Sequence, residues 1–119
     1  MMTLKKTILV KGMQLYTENE KIENGYLQIR DQKIIDYGSL ENLSSTAEFD
    51  EVVEVPTSFK AIPGFIDIHI HGVNGADVMD ATPEALETMS AALPKEGTTS
   101  FLATTMTQSP ENIEAALAV

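Results

Sequence analysis

The chain has 119 residues, with eight basic against eighteen acidic side chains for a formal charge of −10, and it contains neither cysteine nor tryptophan. Its length amounts to about one domain, and 43% hydrophobic with 22% charged residues is the composition of a folded globular chain, not a disordered tail, fibre or membrane bundle. The acidic excess disfavours nucleic-acid binding, which draws on clustered Lys and Arg, and without cysteine any metal must be held by the two histidines and by carboxylates.

Lys5 and Lys6 are followed only by Ile8, Leu9 and Val10 before Lys11. That run is too short for the roughly 7–15 apolar residues of a secretion signal, so the chain is read as cytoplasmic. No stretch reaches the roughly 20 apolar residues of a membrane span. Charge is uneven: residues 1–60 carry seven basic and ten acidic groups, while 61–119 carry one and eight. The composition changes near residue 60, and the expected division is 1–58 and 59–119.

Thr7 to Tyr16 reads as β, and Thr17 to Gly25 as a polar turn. Tyr26-Leu27-Gln28-Ile29-Arg30 alternates, Asp31-Gln32-Lys33 can turn the chain, and Ile34, Ile35 and Tyr37 form a partner strand, which is antiparallel-hairpin sequence. Residues 39–51 are polar without a clear period, and Val52 to Val55 gives one more short strand before Pro56.

The second half reads strand, helix, strand, helix, the βαβ order of a parallel sheet. Ile62 to His71 is the first strand, opened by Pro63-Gly64 and closed by Gly72. Thr82-Pro83-Glu84 supplies an N-cap, a proline at the first helical position and an acid in the positive first turn. Leu86, Met89 and Leu93 follow at helical spacing, and Pro94 with Gly97 stops the helix. Thr98 to Ala103 is the next parallel strand. Ser109-Pro110-Glu111 repeats the helix-start signature, and Ile113 with Leu117 begins an apolar stripe that reaches Val119 without a cap. The chain therefore reads as the N-terminal piece of something longer.

In a strand, residues two apart stand side by side, roughly 6.6 Å along the chain. Within Phe65-Ile66-Asp67-Ile68-His69-Ile70-His71-Gly72, the isoleucines take one face and Asp67, His69 and His71 the other. Two imidazoles on one side can reach one divalent ion at about 2.0–2.1 Å. They also stand at the C-terminal end of a parallel strand, where α/β folds place their chemistry. A histidine pair on a polar sheet face is the plainer reading of the same spacing. Asp67 is compatible with binding metal, orienting a histidine or closing a hydrogen-bond network. Two histidines do not complete a zinc site, which usually has three protein ligands. Asp77 and Asp80 in the next loop are further candidates, although loop structure explains them more simply. Gly72 and Gly75 allow close backbone approach or simply relax the turn, and the Thr and Ser residues of 98–105 fit strand formation and capping. No phosphate loop, nucleophile elbow or Cys/His dyad is present.

The string PGFIDIHIHG at 63–72 resembles the metal-binding signature of the amidohydrolase superfamily. GADVMDATPEAL at 75–86 and GTTSFLATTMT at 97–107 resemble the deacetylases of that superfamily that act on phosphorylated amino sugars. The resemblance is specific from about residue 61 onward. It implies an α/β fold class: the start of a metal-dependent (β/α)8 TIM barrel, preceded in 1–58 by strands of a small β-sandwich. It also implies that His69 and His71 are metal ligands for one or two divalent ions, zinc first among them. The remaining ligands, the catalytic aspartate and the groups that bind the sugar phosphate would then lie past Val119, leaving no catalytic residue in this chain. The implied reaction is metal-assisted amide hydrolysis by the whole protein, with the 119 residues alone inactive. A homo-oligomer is expected, because two strands do not close a barrel and leave apolar side chains uncovered. Two other readings stay open: a dihydroorotase-like or deaminase-like amidohydrolase sharing only the histidine pair, and a non-catalytic oligomerising module.

Overall fold

A computed structural model describes residues 6–119; Lys5, the first of the two N-terminal lysines, lies outside them. The chain divides into two compact units, one ending at Pro63 and the other running Gly64–Val119.

The first unit is built from two small sheets. Strands β1 (Thr7–Lys11) and β2 (Gln14–Tyr16) come from the single run expected over 7–16, broken at Gly12-Met13. They are followed by β3 (Lys21–Ile22), β4 (Gly25–Arg30), β5 (Lys33–Ser39), β6 (Glu51–Glu54) and β7 (Lys60–Ala61). One sheet has the order β5-β4-β1-β6 and the other β3-β2-β7. The expected hairpin is β4 against β5, joined at Asp31-Gln32, both with positive φ (+52 and +63), as a two-residue mirror-image turn requires. The parallel pairs β1–β6 and β2–β7 were not foreseen from the sequence. Leu9, Met13, Leu15 and Tyr26 form its buried apolar residues. An open apolar groove of about 300 Å³ is lined from both sheets by Leu15, Leu27, Ile34, Tyr37, Ala61 and Ile62.

Tyr26 is almost fully buried, and its hydroxyl donates to Asp36 Oδ2 at 2.7 Å. The carboxylate bond, with burial second, raises the phenol above its ordinary value. Because the folded form holds this proton more tightly, the contribution to stability is complete below the unfolded tyrosine value, about 10, and is lost as pH rises through the folded one. Tyr26→Phe should cost about 1–2 kcal/mol at neutral pH and flatten the decline in stability above about pH 10; urea unfolding at several pH values measures both.

The second unit carries β8 (Phe65–Ile70), the short hairpin β9 (Gly72–Val73) and β10 (Ala76–Asp77), then α1 (Pro83–Ala92), β11 (Thr98–Ala103) and α2 (Pro110–Leu117). Strands β8 and β11 pair in parallel, as the βαβ order requires. The strand expected over Ile62–His71 starts only at Phe65. The N–H-less Pro63 precedes it, and Gly64 lies where a Cβ would collide with the Thr99 side chain. Among the described residues the parallel sheet has these two strands, so this unit is a mixed α/β segment and not a closed barrel.

Both helix starts follow their sequence signals. Thr82 Oγ1 accepts from Ala85 N at 3.2 Å, and Ser109 Oγ accepts from Asn112 N at 3.3 Å, each ahead of a proline at the first helical position. Helix α1 passes into a short 3₁₀ turn over Leu93–Glu96, and Gly97 at φ +84 ends it. Met89, with no exposed surface, is the centre of a core with Val78 and Ala116 on which Ile70, Phe101 and Leu86 pack. The stripe expected to run from Ile113 to Leu117 is shifted: Ala116 is the buried residue, and Leu117 is 72% exposed. Of the three isoleucines expected on the apolar face of β8, Ile70 packs on the core, whereas Ile66 and Ile68 are 68% and 73% exposed. No described helix is long and apolar enough to cross a membrane.

Candidate metal centre

The C-terminal ends of β8 and β11 meet at the histidine pair. Thr104 N donates to the Ile70 carbonyl at 2.9 Å, and the Thr104 carbonyl lies 2.9 Å from His71 Nδ1. A carbonyl only accepts, so His71 carries its proton on Nδ1 and presents a lone pair on Nε2. This is the arrangement found behind metal-binding imidazoles, where a carbonyl fixes ring orientation and tautomer.

His69 Nε2 stands 3.2 Å from His71 Nε2, the rings meeting edge to face with centroids 4.9 Å apart and planes at 87°. With the His71 nitrogen as acceptor, the His69 Nε2–H donates to it. Two nitrogens each about 2.0–2.1 Å from one tetrahedral ion are separated by about 3.3 Å, so the observed spacing fits two ligands of one divalent cation. His69 would then present its Nε2 lone pair after moving its proton to Nδ1. His69 is exposed and His71 half-buried, so an incoming ion reaches the pair from solvent.

The loop that follows is fixed by its own bonds. Asn74 and Gly75 have φ of +56 and +79, the requirement of a type I′ two-residue hairpin, and Gly75 has open space around it. Gly72 is needed for close approach: a Cβ there would strike the Ala76 carbonyl oxygen and come to 3.0 Å from Asp77 Cα. Val78 N then donates to the His71 carbonyl at 2.8 Å, tying the loop to the end of β8.

Asp77 and Asp80 belong to this loop's structure. Asp77 Oδ1 accepts from Met79 N at 2.8 Å, and Asp77 N donates to Asp80 Oδ2 at 2.9 Å, a reciprocal capping box around the 3₁₀ turn Val78–Asp80. The plainer of the two readings of these aspartates therefore describes them. Asp67 Oδ1 accepts from His69 N at 3.0 Å. Among the described residues no group of three His, Cys, Asp or Glu side chains converges as a full metal set. The chain thus brings two ligand-competent nitrogens together and leaves Asp67, Asp77 and Asp80 in local hydrogen bonds.

A mixed α/β segment with a His-x-His pair at a strand end has matching relatives: residues 61–118 match the amidohydrolase family. Within that family, the chain is similar to N-acetylglucosamine-6-phosphate deacetylase of Bacillus subtilis, with 46% identity over 112 residues, 94% of this chain and 28% of the relative. It therefore spans little more than a quarter of that relative's length. The fold matches part of solved N-acetylglucosamine-6-phosphate deacetylases: the Pasteurella multocida enzyme superposes with a TM-score of 0.82 at 24% identity, over 95% of this chain and 29% of that one. A Mycobacterium smegmatis D267A mutant, solved in complex with N-acetyl-D-glucosamine-6-phosphate, gives 0.75 at 23% identity, over 95% and 28%.

Proposed function

We propose that this chain supplies the first two metal ligands, His69 and His71, of an N-acetylglucosamine-6-phosphate deacetylase. The whole protein would hydrolyse the acetamide of N-acetylglucosamine 6-phosphate to acetate and glucosamine 6-phosphate. The observation that carries the reading is the 3.2 Å convergence of the two Nε2 atoms at a parallel strand's C-terminal end, within a segment of amidohydrolase sequence. The similarity to the Bacillus subtilis enzyme supports the choice of substrate.

A bound divalent ion, zinc on the donor chemistry of two imidazoles, would polarise the amide carbonyl and lower the pKa of its water. His71 contributes a lone pair whose direction the Thr104 carbonyl sets, and His69 a second one beside it. Neither histidine transfers a proton in the reaction. The β8–α1–β11–α2 segment is, on this reading, the opening of a (β/α)8 barrel. The two small sheets that precede it, 1–58 in the expected division, belong to a β-sandwich. The exposed Ile66, Ile68 and Leu102, and the apolar groove beside Ile34 and Tyr37, are the surfaces that further chain or a second copy would cover. We place the protein in the cytoplasm, as a homo-oligomer acting on a phosphorylated amino sugar. With one basic side chain in 61–119, the cations for the phosphate come from elsewhere in the protein.

Acetate release from N-acetylglucosamine 6-phosphate with added zinc, measured for the 119-residue chain and for a longer protein that begins with it, tests this assignment. The longer protein should turn over and the short chain should be inactive. Full activity in the short chain, or none in a folded, zinc-loaded longer protein, would overturn it.

A further inference from the structure

The two histidines are held by different means. His71 is anchored through its ring, by the Thr104 carbonyl at 2.9 Å. The His69 ring meets the His71 ring, while the His69 backbone N–H donates to the Asp67 carboxylate at 3.0 Å. The register of the sheet explains why this bond matters. Asp67 pairs with Phe101 and Ile70 with Ala103, so β8 runs three residues where β11 runs two. His69 lies inside that shift, where the regular ladder is interrupted and the direction of a side chain is not set by the pleat alone. At this irregularity the half-buried Asp67 accepts the His69 N–H from two residues upstream, a local bond that holds the backbone of the shifted stretch.

We infer that Asp67 is a positioning residue for His69: its carboxylate, acting through the His69 N–H, fixes the backbone of the shifted stretch and so aims His69 Nε2 at the point it shares with His71. The inference rests on the reading of the histidines as ligands and adds to it a role for Asp67 that is neither ligation nor charge. Asp67 takes no part in the bond between the two rings, and its side chain bonds back onto its own strand.

Hydrogen-bond geometry and charge are separated by two opposite substitutions. Asp67→Asn keeps an oxygen acceptor at the same reach and removes the charge; Asp67→Glu keeps the charge and moves it one methylene away. The 119-residue chain and its variants are compared by zinc affinity, from competition with a chromophoric chelator. They are also compared without metal, by the nitrogen–nitrogen coupling across the His69–His71 bond and by amide exchange at His69. The inference expects Asp67→Asn to stay within about threefold of the parent. Asp67→Ala and Asp67→Glu should weaken zinc binding by about tenfold or more, in the range for loss of an outer-shell partner, with faster His69 exchange and a lost coupling. The reverse order, with Asn weak and Glu retained, would make Asp67 a ligand or a charge and overturn the inference, as would parent-like behaviour of all three. Should Asp67→Ala lose its fold by circular dichroism, the Asn and Glu pair decides alone. If the parent binds no zinc, the ligand reading fails, and the metal-free coupling and exchange still decide the positioning role.

Discussion

Zinc affinity falls by two orders of magnitude or more in His71→Ala, beyond the about 10–100-fold that loss of an outer-shell partner brings. Removal of this ring deletes a donor atom and also the contact to the Thr104 carbonyl that joins the ends of β8 and β11. His69→Ala should lose zinc to a similar degree, with a smaller structural effect, because His69 is exposed and its backbone bond to Asp67 survives the truncation. Exposed substitutions away from special features change stability by about 0.5 kcal/mol or less. The two variants therefore separate ligation from packing: both lose the metal, and His71→Ala alone loosens the strand ends. Isothermal titration with zinc, alongside amide exchange at Thr104, measures the difference. Unchanged affinity in either variant would show that the ring in question is no ligand.

The largest expected loss of stability lies at Met89→Ala, about 2–5 kcal/mol for truncating a buried methionine. Met89 has no exposed surface, and Val78, Ala116, Ile70, Phe101 and Leu86 gather round it. Domain stability as a whole is about 5–15 kcal/mol, so the Gly64–Val119 unit should unfold at much lower urea. Met89→Leu nearly conserves volume and should cost less than about 1.5 kcal/mol. The site should fail with the core, since Ile70, between the two histidines, packs on the same cluster. A His69–His71 coupling that outlasts the loss of the Met89 core in urea would contradict this dependence.

Where local chemistry decides, the sequence was readable. Thr82 and Ser109 cap the helices they announce, Thr98–Ala103 is the strand its β-branched run suggests, and Gly97 ends the turn after α1. The Asn74-Gly75 hairpin is equally local, since Asn-Gly is the strongest two-residue turn signal. Two-residue strands such as Lys21–Ile22 and Lys60–Ala61 carry no period to detect; partners elsewhere in the chain create them.

The candidate site divides along the same line. Period-two alternation brings His69 and His71 to one side from sequence alone. The acceptor that orients His71 is a main-chain carbonyl more than thirty residues away, and every residue has one, so no side-chain pattern marks Thr104. The shift between Asp67–Ile70 and Phe101–Ala103 is likewise a property of pairing, invisible in either strand read singly. Asp67 admits three roles on sequence alone, because its hydrogen bond to the His69 N–H lies within that shift. The exposure of Ile66 and Ile68 follows from a simple count: a parallel sheet of two strands covers little of their face.

The most direct test of the account is a zinc titration of the 119-residue chain followed through the imidazole nitrogen-15 resonances of both histidines. The account predicts that the Nε2 resonances of His69 and His71 move together and saturate at one ion per chain, while His71 Nδ1 keeps its proton against the Thr104 carbonyl. Independent movement of the two rings, or coordination through His71 Nδ1, would contradict it.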